Sequence, residues 1–128
     1  MKKLLLDSHT LLWFFEEDPK LPNIVKDLIE GSDSFVAVSI ATFWELAIKQ
    51  SIGKLKLAKS IAEMFFECEK QDISITPILQ QEIIEIEKLP FYHRDPFDRI
   101  IIATAKVNGF EILSADIEFD AYPIVRIW

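Results

Sequence analysis

Two runs, Leu4-Leu5-Leu6 and Phe35-Val36-Ala37-Val38, are apolar at every position, and that constrains this chain more than any other feature. A strand with one wet face alternates apolar and polar residues, whereas a parallel strand covered by helices on both faces does not. The surrounding sequence agrees. Runs of strand length at 3–6, 34–38, 73–76, 111–113 and 124–127 alternate with stretches of helical character at 9–16, 23–30, 40–52, 61–70, 80–89 and 96–108. That alternation predicts an α/β fold around a mainly parallel sheet of four or five strands, in a single domain over 1–128. Boundary residues support it. Ser39 can cap the third helix and Gly53 can close it, Ser60 with Glu63 forms a capping box, and Asp95-Pro96 opens a helix that Gly109 can end.

Composition narrows the function classes. With 128 residues and 50% hydrophobic content, the chain can bury a core without disulfides. Its single cysteine, Cys68, reads as a small buried thiol. Only three leucines precede Asp7, too few for a signal peptide or a membrane span, so the expected setting is the reducing cytoplasm, with no membrane partner. The net charge of −7 argues against nucleic-acid binding by general electrostatic attraction. Bound divalent cations would reverse that field locally.

Acids recur beside apolar sequence. Asp7 follows the first strand and Asp116 lies three residues past the end of the fourth; open parallel sheets bind ligands outside the carboxyl ends of their strands. Glu45 falls in the second turn of the helix leaving the second strand, and Asp98 in the first turn of the helix leading into the fourth. Crossover helices run antiparallel to their strands, so both helix beginnings come to the same edge. Four carboxylates therefore converge, which suggests a site for a hard cation such as Mg²⁺ or Mn²⁺ that prefers oxygen ligands.

Each acid also has an ordinary explanation. Asp95 reads best as a helix cap, and Asp98 could complement the helix dipole, but Asp98 shares a face with Ile101, Ile102 and Ala105, where an unpaired carboxylate is costly. Glu45 could simply pair with Lys49 one turn on, for about 0.2–0.5 kcal/mol. Asp7 could be a turn residue, and Asp116 a loop acid with Asp120 beside it. Lys49, Lys54, Lys56, Arg94 and Arg99 are neighbours of the acids and could meet a phosphate backbone; Arg99 could instead neutralise the acids. His9 and His93 each fit a local hydrogen bond better than catalysis. Trp13, Phe14, Phe15 and Trp44 are expected in the core, with any exposed surplus marking an interface.

The blocks Leu4-Leu5-Leu6-Asp7-Ser8-His9, Val38-Ser39 with Trp44-Glu45 and Lys49, Gly53-Lys54-Leu55, His93 with Asp95-Pro96-Phe97-Asp98-Arg99, and Ser114-Ala115-Asp116 with Phe119 and Tyr122 together resemble the PIN domain. More narrowly, they resemble the VapC-type toxins of bacterial toxin–antitoxin pairs. The resemblance implies a PIN-like three-layer fold and an Mg²⁺- or Mn²⁺-dependent endoribonuclease, restrained by a cognate antitoxin and often a homodimer. It places the family's acidic quartet on Asp7, Glu45, Asp98 and Asp116, with Ser114 as the polar companion and Asp120 competing with Asp116 for the fourth place. Two other classes stay open. One is an aspartate-based phosphatase or phosphotransfer enzyme, although Asp7-Ser8-His9 has no second aspartate two residues on; the other is a catalytically inactive protein-interaction domain.

Overall fold

A computed structural model describes residues 1–128. Five strands, β1 (Lys2–Leu6), β2 (Ser34–Ser39), β3 (Ser74–Thr76), β4 (Glu111–Leu113) and β5 (Arg126–Ile127), form one sheet in the order β3-β2-β1-β4-β5. All four pairings are parallel. Six helices cover it: α1 (Ser8–Glu16), α2 (Asn23–Glu30), α3 (Ile40–Ser51), α4 (Ile61–Lys70), α5 (Gln80–Lys88) and α6 (Pro96–Asn108).

Uninterrupted apolar strands acquire their meaning from the two cores. Leu4, Leu6, Val36 and Val38 point into one cluster with Leu11, Val25, Phe43 and Met64, which come from α1 to α4. The alternate residues Leu5, Ala37 and Ile112 point into a second cluster with Ile101, Ile102 and Ala105 of α6. Side chains of a strand alternate between faces, so a strand sandwiched between helix layers must be apolar on both. Full burial of each such leucine contributes about 1.5–3 kcal/mol.

Register positions the functional edge. Leu6 stands opposite Val38 on one side and opposite Leu113 on the other. β1 and β4 therefore end level and β2 runs one residue further, which brings Asp7, Ser39 and Ser114 to matching positions at the carboxyl edge.

Element ends follow local chemistry. Asp7 caps α1, so that helix starts at Ser8, one residue earlier than expected. Ser39 caps α3 and Ser60 caps α4, while Asp95 accepts from the backbone N–H groups of Phe97 and Asp98 at the start of α6. Gly109 ends α6 with φ 73°, a left-handed conformation that costs glycine little. Ile73 is buried but donates its N–H to the Cys68 carbonyl at 2.8 Å, which leaves β3 to begin at Ser74. β5 is shorter than 124–127, and Ile124 donates its N–H back to the Tyr122 carbonyl at 2.8 Å instead of joining the strand. A 3₁₀ turn at Ile117–Ala121, absent from the sequence expectation, connects β4 to this edge strand. Cys68 is buried as expected, and desolvation pushes its thiol up to about 11.

Arg99 differs from expectation. It is buried, and its guanidinium donates to the carbonyls of Ile86, Leu89, Pro90 and His93 at 3.0–3.3 Å. Phe91 stacks over it, with the ring centroid 4.2 Å from the guanidinium carbon. Those contacts engage both terminal nitrogens of the guanidinium, which is directed at backbone carbonyls rather than at the acids. It closes the carbonyl end of α5 and ties down the loop before α6, a task suited to a planar fork of donors. Arg99→Met is expected to lower stability by about 3 kcal/mol in urea denaturation, because buried carbonyls lose a charged donor. Arg99→Lys should recover only part of that loss, since one ammonium cannot serve four dispersed carbonyls.

Candidate functional site

Asp7 is held from three directions. Its Oδ1 accepts from the Thr10 backbone N–H at 2.9 Å and lies 2.7 Å from the Thr10 hydroxyl, while its Oδ2 accepts from Ser114 Oγ. The same Ser114 Oγ accepts the Asp116 N–H at 3.0 Å. Because β1 and β4 end in register, one buried serine links the acid after the first strand to the acid after the fourth.

Glu45 and Asp98 meet where α3 packs on α6. Their sequence neighbours Trp44 and Phe97 form an edge-to-face pair with centroids 5.2 Å apart. Glu45 is buried and accepts from Lys49 Nζ at 2.9 Å, so the one-turn ion pair expected as an ordinary alternative is present with a buried acid as its partner. That hydrogen bond, the largest cause, raises the Lys49 pKa, and the charges of Asp95 and Asp98 add to it. Asp98 is half-buried, and its carboxyl is pushed up to about 7, first by desolvation, then by the negative charge of Asp95, with smaller pressure from Glu45 and Asp116. His93 opposes the shift.

Asp116 caps the 3₁₀ turn, its Oδ1 accepting from the Glu118 N–H at 2.9 Å, and its Oδ2 lies 3.1 Å from His93 Nε2. Asp120 does not share this cluster. It is exposed and forms a two-pronged pair with Arg126 at 2.9 and 3.0 Å, and that hydrogen bond holds its carboxyl below the usual carboxylate range. The geometry therefore favours Asp116 over Asp120 as the fourth acid. Asp95 sits at the helix cap, where its charge acts on Asp98 without aiming a ligand atom. Lys54 and Arg94 are exposed.

Sequence reasoning gave His93 a local hydrogen bond rather than a place at the site, named Tyr122 only within the family resemblance, and did not single out Glu118. The ligand atoms of His93, Asp116 and Glu118 all lie within 4.8 Å of one another, whereas no three of the four acids meet that span. Lys49 holds Glu45 by a 2.9 Å contact. The one available signal was the place of His93 just ahead of the Asp-Pro-Phe-Asp-Arg block. The main concavities of the surface all lie elsewhere, the acids occupying an open edge.

The donor set suits a hard divalent cation. Asp7, Glu45, Asp98 and Asp116 offer only carboxylate oxygens, and Lys49 is the nearby cation that pairs directly with one of them. Asp98 holds its proton toward neutrality first because it is desolvated and then because the negative charge around it is undercompensated, and the second is the electrostatic condition a divalent ion would relieve.

A family model described as "PIN domain" matches residues 4–125. Over 118 residues the chain is 27% identical to Ribonuclease VapC22 of Mycobacterium tuberculosis (strain ATCC 25618 / H37Rv), spanning 91% of this chain and 88% of that protein. Among solved structures, VapBC2 from Rickettsia felis bound to a promoter DNA fragment superposes with a TM-score of 0.72 at 14% identity, over 98% of this chain and 97% of that one. VapBC-1 from nontypeable Haemophilus influenzae gives 0.70 at 18% identity, over 98% and 96%. The structural likeness at these identities is one of fold.

The raised Asp98 pKa has a definite consequence for stability. An unfolded aspartate titrates near 3.9, so between that value and about 7 the folded state retains a proton that the unfolded chain has lost. Stability of the metal-free protein therefore falls as pH rises through this window, and the penalty is complete above about 7. Asp98→Asn should raise the metal-free Tm more at pH 8 than at pH 5, as followed by circular dichroism; an equal effect at both pH values would contradict the electrostatic origin.

Proposed function

This chain belongs to the PIN domain family, and on that premise we propose that it is a divalent-metal-dependent endoribonuclease, the toxin of a toxin–antitoxin pair. The observation that carries the reading is the set of carboxylates at the carboxyl edge of the sheet, supported by the charges of Asp95, Glu45 and Asp116, which add to desolvation in raising the Asp98 pKa. The resemblance to a named VapC ribonuclease over most of both chains supports the substrate class. Structural neighbours that are VapBC assemblies, and another described as a toxin–antitoxin complex from Klebsiella pneumoniae, support an antitoxin as the protein partner.

Asp7, Glu45, Asp98 and Asp116 would hold the ion, Mg²⁺ or Mn²⁺. When bound, it supplies positive charge against the negative charge that develops during in-line hydrolysis of a phosphodiester. The chain's own residues prepare that site. Ser114 and Thr10 fix the rotation of Asp7, and Ser114 ties it to Asp116. Asp98 would release its proton as a cation replaces it, and Glu45 would exchange part of its pairing with Lys49. Lys49, Lys54 and Arg94 would meet the phosphate backbone, giving an acidic protein a local basic rim.

Exposed Trp44, Ile48 and Ile52 on α3 fit a homodimer face beside the site. No helix is long and apolar enough to cross a membrane, in keeping with work on cytoplasmic RNA.

Purified protein with Mg²⁺ or Mn²⁺ and a mixed RNA pool should cleave, and EDTA should abolish cleavage. Asp7→Asn and Asp98→Ala should fold and lose the activity to the EDTA background. Ser114→Ala should weaken metal affinity by about 10–100-fold, as expected for a residue that orients a ligand. A folded protein without metal-dependent RNA cleavage would overturn the proposal; hydrolysis of a phosphomonoester lost in Asp7→Asn would favour a phosphatase, and antitoxin binding alone an interaction domain.

A further inference from the structure

His93 is the most firmly placed side chain at the acidic edge, although it is no member of the quartet. Its residue is only 5% exposed. The imidazole stacks on Phe119, with centroids 4.9 Å apart and planes inclined by 17°. Its backbone is fixed at both ends: the N–H donates to the Tyr122 hydroxyl at 2.8 Å, and the carbonyl accepts from Arg99 Nη1 at 3.1 Å. Because Arg99 adjoins Asp98, the helix that carries one acid also anchors the loop that carries the histidine.

The hydrogen-bond pattern sets the ring's polarity. Tyr122 Oη accepts the His93 backbone N–H and lies 3.2 Å from His93 Nδ1, so its single hydrogen is free to be donated to that nitrogen. A neutral imidazole accepting at Nδ1 carries its hydrogen on Nε2, the atom 3.1 Å from Asp116 Oδ2. Asp116 needs such a donor. Its side chain is 37% exposed, and apart from the helical cap on Oδ1 nothing else restrains its carboxylate.

We propose that His93 is a positioning residue for Asp116, its Nε2–H holding the carboxylate of the fourth acid toward the cation site, with Tyr122 setting the orientation of the ring. This rests on the nuclease reading above. The role is positional because His93 acts on the cation through Asp116, as histidine–carboxylate pairs do around other metal sites.

Mn²⁺ affinity, measured by electron paramagnetic resonance of the free ion without RNA, separates the two levels of the argument. His93→Leu should raise the half-saturating Mn²⁺ concentration by about 10–100-fold while cleavage at saturating Mn²⁺ changes little. His93→Gln, which can present an N–H near the position of Nε2, should recover most of the affinity. In an Asp116→Asn background, His93→Leu should cause no further shift. Tyr122→Phe, which keeps the packing and removes only the hydroxyl, should shift affinity in the same direction by less. Nitrogen NMR of the wild-type imidazole should show the Nε2–H tautomer.

Wild-type protein that binds Mn²⁺ and cleaves RNA, together with a folded His93→Leu that titrates like wild type, would overturn the positioning role and leave the nuclease intact. A His93→Leu shift that persists without Asp116, or that glutamine fails to relieve, would also overturn it, by making the imidazole itself a ligand. Wild type that neither binds Mn²⁺ nor cleaves RNA would bring down both.

Discussion

Everything at the functional edge depends on the register of three parallel strands. With Leu6 opposite both Val38 and Leu113, Asp7 and Ser114 leave the sheet together beside Ser39, the last residue of β2. Asp7 and Ser114 then stand close enough for a direct hydrogen bond, and Ser114 can receive the backbone of Asp116. A slip of one residue in either pairing would turn leucines out of both cores, so the packing that stabilises the fold also protects the site's register.

Against that rigid base the electrostatics are deliberately unbalanced. Carboxylates from two strand ends and two helix beginnings face a single directly paired lysine, and desolvation, reinforced by the neighbouring negative charges, holds the Asp98 proton to about pH 7. Stability is lost to this arrangement in the metal-free protein, and the loss makes the edge receptive to a cation. Functional sites commonly retain such strain because the surrounding structure enforces it. Here the enforcement is visible: Asp7 is fastened by Thr10 and Ser114, and Asp116 by Glu118 and His93.

The other charged residues of the second layer serve the scaffold. Arg99 is spent on four carbonyls around the end of α5, and buried Glu82 accepts from Thr104 and Asn108 across the α5–α6 seam. Buried charge is tolerated in both places because the hydrogen-bonding capacity is filled. Lys49, by contrast, is paired with Glu45, and Lys54 and Arg94 are exposed.

Much was legible in the primary order because it depends on local or periodic chemistry. Doubly apolar strands announce a sheet covered on both faces, a proline after an aspartate announces a helix start, and an acid after a strand announces an edge residue. Three of the six helices keep their anticipated starts and ends and the other three miss by one residue at one end, since capping is decided within a single turn. The role of Arg99 was hidden, because its partners are backbone carbonyls, which every residue type presents alike. The pairing of Asp120 with Arg126, and the His93–Tyr122–Asp116 chain, were hidden too: their partners lie 6 to 29 positions apart and meet only through the path of the loops. Sequence alone determined which residues can be buried and which acids must come to one edge, for those follow from periodicity and crossover geometry. Tertiary structure alone decided which of those acids face one another and what holds each in place, because hydrogen bonds are directional and short, and only packing brings their ends within reach.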